Sequence, residues 1–150
     1  MRLPSALLIP AVLCLKVPAV PGIELPTMFG RHAVLQREEA VPVWGWGKPG
    51  EVVRVTFAGQ SKRTTADDKG NWRVELDALE ASASGQVLEV TGTESGRLRV
   101  PDLLVGEVWM ASGQSNMQWA LSSTERAKQD IPRADHPAIR MFLTDLVTAA

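Results

Sequence analysis

The sequence predicts a mixed β and α/β fold, with an N-terminal antiparallel β-sandwich-like domain followed by the start of an α/β domain. Three observations carry that reading. Short runs between Ile23 and Val100 alternate apolar with polar residues. Residues with turn chemistry separate those runs. At Leu103 the pattern changes to a nearly continuous apolar run, then a polar turn, then a segment with helix-start spacing.

Before the alternation begins, Arg2 precedes a run from Leu3 to Leu15 that is apolar except for Ser5. A basic residue ahead of a short apolar run is the pattern of a signal peptide. A transmembrane helix needs about 20 residues, more than this run offers. Residues 1–21 are therefore expected to be a signal peptide and the chain to be exported, with no membrane attachment after cleavage. Cys14 is the single cysteine and lies inside that run. The processed chain would hold no cysteine and form no disulfide.

Residues 22–100 are expected to form the β-sandwich-like domain. Val53, Val55 and Phe57 alternate with Arg54 and Thr56, and Trp72, Val74 and Leu76 alternate with Arg73 and Glu75. Leu98 and Val100 alternate with Arg97 and Arg99. A period of two places one face on a core and the other in water, as in antiparallel strands. In Gly47-Lys48-Pro49-Gly50, Pro49 presets its own φ and Gly50 accepts a positive one, which fits a type II turn. Asp67 to Asn71 reads as a hairpin loop, and Ala81 to Gly85 as a small-residue loop. Six or seven short strands result, enough for a compact sandwich.

Residues 101–150 are expected to be the incomplete start of the α/β domain. Leu103 to Met110 suits a strand buried on both faces of a parallel sheet. A helix is expected from about Ser122, where Ser122 and Glu125 have capping-box spacing and Arg126 and Asp130 form an i,i+4 pair. Pro132 limits its end, and Ile139 to Leu143 suits a second strand. One helix cannot cover both faces of such a strand, so this part is expected to pack poorly by itself.

Composition narrows the function classes. The formal net charge is −1 and the basic residues are scattered, which gives no reason to expect nucleic acid. Aromatic residues are five Trp and three Phe, with no Tyr. Tryptophan stacks on sugar rings, but core filling is its commoner use. Trp44 and Trp46 share one strand face, and Trp72, alternating with Arg73, suits the core. Oligomeric state is left open.

The chemistry concentrates in Gly113-Gln114-Ser115-Asn116-Met117. A serine nucleophile needs exposure, a base, and donors aimed at the developing oxyanion. A sharp turn after a buried strand exposes Ser115, Gly113 permits that turn, and the Ser115 backbone N–H could serve as one oxyanion donor. Gly-x-Ser alone is a weak signal and is read better as a polar helix-capping turn, with Ser115 or Asn116 as N-cap. It is not the Gly-x-Ser-x-Gly elbow either, because Met117 stands at the second glycine. His32 and His136 are read as surface or structural histidines. Asp135 beside His136 does not change this, because chain neighbours rarely orient each other as a triad requires, and two lone histidines do not make a metal site.

Three longer blocks add to this. Val105-Gly106-Glu107-Val108-Trp109-Met110-Ala111-Ser112-Gly113-Gln114-Ser115-Asn116-Met117-Gln118-Trp119 resembles the nucleophile block of the sialate O-acetylesterase family, within the SGNH hydrolase superfamily. The runs Leu25 to Arg37 and Val41 to Glu51 resemble upstream signatures of the same family. The resemblance implies that Ser115 is the nucleophile of a carbohydrate esterase. Its substrate would be an O-acetylated sialic acid or related sugar, handled without metal or organic cofactor. Gln114, Asn116 and Trp119 are the candidate substrate-binding residues. Trp119 could wall the acyl pocket or pack a helix onto the sheet. The resemblance also implies further Gly, Asn, Asp and His blocks that are not in these 150 residues, so the chain itself is expected to be catalytically incomplete. The competing reading is a non-catalytic carbohydrate-binding or scaffold module of β-sandwich form.

Overall fold

A computed structural model describes residues 22–144; the expected signal peptide, Cys14 and residues 145–150 lie outside them. Seven strands follow in order: β1 (Val34–Gln36), β2 (Val41–Trp46), β3 (Val52–Phe57), β4 (Gln60–Thr65), β5 (Asn71–Leu76), β6 (Ser82–Gly92) and β7 (Gly96–Gly106). They form a five-stranded sheet in the order β1-β7-β6-β3-β4 and a two-stranded sheet of β2 and β5. The fold is mostly β, as the alternation predicts, but the larger sheet is mixed. β1 runs parallel to β7, pairing Val34 with Leu104 and Gln36 with Gly106.

Both sheets feed one apolar cluster. Val53, Val55 and Phe57 of β3 and Leu88 and Val90 of β6 are buried, as are Val41 and Val43 of β2 and Trp72, Val74 and Leu76 of β5. Burial of each such side chain contributes about 1.5–3 kcal/mol, so the alternating positions decide which face turns inward. Gly45 lies opposite Trp72 in the β2–β5 register. A β-carbon on Gly45 would approach the Trp72 ring to 2.7 Å and the Glu24 carbonyl to 2.1 Å. The missing side chain is what lets the indole pack there.

Turn chemistry holds at Gly50, whose φ is +75°, with Glu51 N–H donating to the Lys48 carbonyl. Asp67 to Asn71 turns the chain, but not as a hairpin. β4 pairs with β3 and β5 pairs with β2, so this loop carries the chain from one sheet to the other. Asp67 Oδ1 accepts from the backbone N–H groups of Lys69 and Asn71, which closes the turn without strand pairing.

Three further expectations are corrected. Ala81 to Gly85 is not a loop, because β6 runs through it, with register shifts between Ser82 and Leu88. Bulges of this kind let a strand continue through small residues that show no alternation. Leu103 to Met110 is not one strand. Leu103, Leu104 and Val105 are buried at the end of β7, while Val108, Trp109 and Met110 are 55–96% exposed and outside any strand. Ile139 to Leu143 forms no strand, since no sheet edge pairs with it. The helix expected from Ser122 is reduced to a 3-10 turn at Leu121–Ser123, one α turn, α1 (Ala127–Asp130), and a 3-10 turn at Ile131–Arg133. No side-chain cap bond forms at any of these, although Arg126 and Asp130 do approach to 3.6 Å. A helix this short has too few internal bonds to stand without packing.

Candidate active site

The first and third sequence blocks meet in space. The parallel pairing of β1 with β7 brings Gln36 and Arg37 beside the residues that lead to the serine turn. Arg37 N–H donates to the Gly106 carbonyl (3.0 Å), Arg37 Nε to Glu107 Oε1 (2.6 Å), and Val108 N–H to Gln36 Oε1 (2.9 Å). The Arg37 guanidinium holds the Glu107 carboxyl below its ordinary range, with help from the Gln36 amide. The chain is thus anchored where it leaves the sheet, seven residues before Gln114.

Ser115 opens a 3-10 turn, Ser115–Gln118, directly after Gln114, whose backbone is extended (φ −101°, ψ −157°). Met117 N–H donates to the Gln114 carbonyl and Trp119 N–H to the Asn116 carbonyl. Gln114, Ser115 and Asn116 are all exposed. Gly113 lets the turn close tightly, since a β-carbon there would sit 2.8 Å from Met117 Cγ. Among the described residues nothing accepts the Ser115 N–H.

Ser115, Trp119, Ala120 and Ser123 line an open hollow of about 320 Å³. Trp119 Nε1–H donates to the Ser123 carbonyl (3.2 Å), which sets the indole as a wall of that hollow. Trp119 is 64% exposed and does not pack a helix onto the sheet. Of the sequence-predicted site residues, Ser115 and Trp119 come together. Gln114 and Asn116 flank them along the chain but do not line the hollow.

The histidines behave differently from each other. His136 and Asp135 are exposed, and among the described residues neither side chain is hydrogen-bonded. His32, which sequence reading leaves as a surface or structural residue, donates from Nδ1 to Asp102 Oδ2 (2.5 Å). Arg140 donates to Asp102 Oδ1 (3.0 Å) and to the Asp102 carbonyl. His32 and Asp102 both have positive φ, +70° and +63°, a region costly for residues with a β-carbon. The Asp102 carboxyl is held below its ordinary range, chiefly by Arg140 and then by His32. The cluster ties β7 to segments 70 residues upstream and 38 downstream, and none of its members is hydrogen-bonded to Ser115. Those separations exceed any local motif, so no sequence signal joins the three residues.

This mostly β chain is similar in structure to a carbohydrate acetylesterase solved from Xanthomonas citri. The two superpose with a TM-score of 0.72 at 40% identity, over 77% of this chain and 26% of that one. The particular likeness is to sialate O-acetylesterases, as the three sequence blocks imply. The mouse enzyme is 34% identical over 136 residues, covering 84% of this chain and 25% of the mouse protein. The human enzyme is 31% identical over 153 residues, covering 95% of this chain and 29% of the human protein. The chain therefore spans about a quarter of the length of the curated relatives it matches. No protein-family model matches it.

Proposed function

We propose that this chain carries the nucleophile turn of a carbohydrate esterase that removes O-acetyl groups from sialic acid or a related sugar. The observation that carries the reading is Ser115, exposed beside a Trp119-walled hollow, within a stretch similar to sialate O-acetylesterases. Ser115 Oγ attacks the acetyl carbonyl while its own N–H donates to the oxyanion. Collapse of the tetrahedral intermediate breaks the ester bond, returns the sugar hydroxyl with a proton, and leaves acetyl on Ser115. Water then attacks that acyl group and releases acetate. His and Asp blocks of the kind the family supplies would act as base and orienter respectively.

In this reading residues 107–144 are the opening of an SGNH-type α/β domain, and the two sheets before it form the sandwich-like companion. The protein is exported, and residues 1–21 are its signal peptide. Gln114 and Asn116 flank the acetyl group, and Trp119 bounds its methyl end. The test is a protein extended to the full length of the relatives, assayed for acetate release from O-acetylated sialic acid. Ser115→Ala is expected to lower turnover by about 10⁴-fold or more and to stop labelling by a fluorophosphonate probe. Unchanged turnover in that variant would overturn the assignment of Ser115.

A further inference from the structure

The outer face of the two-stranded sheet carries side chains that the serine turn does not use and the core uses only in part. β2 turns Trp44 and Trp46 away from buried Val43, and β5 places Arg73 and Asn71 directly across from them. Phe29 meets the Trp44 ring edge-on, with centroids 4.8 Å apart and an interplanar angle of 83°. Trp46 keeps 44% of its surface exposed. Trp44, Trp46, Asn71 and Arg73, with Thr65 of β4 and Asp67, whose carboxylate is taken up by Asn71 and the turn, line an open groove of about 590 Å³.

Three polar groups in that groove are uncommitted. Arg73 makes no ion pair among the described residues. Asn71 donates its amide N–H groups to the Asp67 carboxylate (2.8 and 3.1 Å), which leaves its Oδ1 free to accept. Trp72 also lines the groove and is 97% buried by its 3% exposure, yet its Nε1–H has no partner. Buried donors are rarely left unpaired without a reason. A structural role explains Trp72 as core and Trp44 as partly core. It does not explain an exposed indole beside an unpaired guanidinium and an open acceptor.

We propose that this groove is a glycan-binding subsite for a carboxylate-bearing sugar, separate from the Ser115 hollow. The proposal rests on the carbohydrate reading above and concerns binding alone. The apolar face of a sugar ring stacks on Trp46. The Arg73 guanidinium takes the sugar carboxylate in a two-pronged hydrogen bond. Asn71 Oδ1 and the Thr65 hydroxyl take ring hydroxyls. Such a site would hold an acidic glycan on the β-domain while an ester elsewhere on it is worked on.

The test is an NMR titration of the intact chain with N-acetylneuraminic acid and, in parallel, with neutral galactose. Saturable shifts of the Trp46 and Trp72 indole N–H resonances are expected, with the acidic sugar bound about 10-fold tighter or more. Trp46→Ala should remove binding of both sugars, and Trp46→Phe should retain it. Arg73→Gln should erase the preference for the acidic sugar and keep the weak neutral binding. Ser115→Ala should bind as the parent does, so loss of esterase function and loss of this site are separately visible. Absence of saturable shifts, equal affinity for the two sugars, or binding untouched by Trp46→Ala would overturn the proposal.

Discussion

Glu51 is 2% exposed and stands between two turns, the one at Gly47 to Gly50 and the one joining β6 to β7. Its carboxylate accepts from the backbone N–H groups of Lys48, Glu94 and Ser95 and from the Ser95 hydroxyl. Burial opposes the charge, but the Ser95 hydroxyl and the three backbone donors outweigh it and hold the carboxyl below its ordinary value. Gly47 and Gly92 make room, since a β-carbon on either would come within 2.4 Å of a Glu51 oxygen. Glu51→Ala would strand several buried donors and should cost about 3 kcal/mol or more, read by urea unfolding. The folded carboxyl is the stronger acid, so its contribution is complete above the unfolded value near 4.5 and is lost as pH falls through the lowered folded value. Stability should therefore drop below about pH 4.5, and Glu51→Gln should flatten that drop. An equal acid slope in both proteins would remove Glu51 from the account. At this scale the polar turn at Ser115 was legible, and three ordered blocks make Ser115 the candidate nucleophile. Glu51 was not, because an isolated Glu after a Pro-Gly turn gives no sign that four donors converge on it.

Strands are where alternation and pairing part company. The inward residues of β3 and β5 can be read directly from their period of two, because each has one core face. Partner choice cannot. The Asp67 to Asn71 turn looks like a hairpin, yet β5 joins β2, where Gly45 leaves space for Trp72. That choice depends on a size match between residues 27 apart in the chain. β6 shows the opposite failure, since Ala81 to Gly85 has loop composition but is held by pairing to β7. Gly85 is the reason the bulge closes, because a β-carbon there would lie 2.3 Å from Asp102 Oδ1. Gly85→Val should therefore displace Asp102 and break its bonds to His32 and Arg140. Hydrogen exchange should then quicken at Ile139, whose N–H bonds to the His136 carbonyl, as it should in Arg140→Ala. Exchange at Val55 and Leu88 should not change in Arg140→Ala. A uniform loss of protection would show instead that the cluster supports the whole sheet.

Across the whole molecule, packing ends with β7. Val105 is the last buried residue among those described. After it, Trp109, Met110, Met141 and Leu143 are 84–96% exposed, and no sheet strand or long helix organises them. Among the described residues the buried side chains thus all lie within 22–106, and the large apolar side chains of the serine-bearing stretch 107–144 are exposed. A solvent-exposed patch of this kind is characteristic of a surface that another layer packs against. In the proposed reaction the serine needs more than exposure, because full rate requires the base and the oxyanion donors in place together. Two measurements follow from this division. The 150-residue chain should release acetate no faster than its Ser115→Ala variant. Ending the chain after Gly106 should leave a single cooperative unfolding transition, with Tm lowered by less than about 8 °C, since only two ion pairs, one exposed and one part-buried, and a few hydrogen bonds cross that point. Those are Arg37 and Gln36 with Glu107, Val108 with Gln36, and Arg140 with both the carboxylate and the carbonyl of Asp102. Loss of the transition would mean that residues 107–144 contribute to the core after all, and the independent standing of the β part would fall with it.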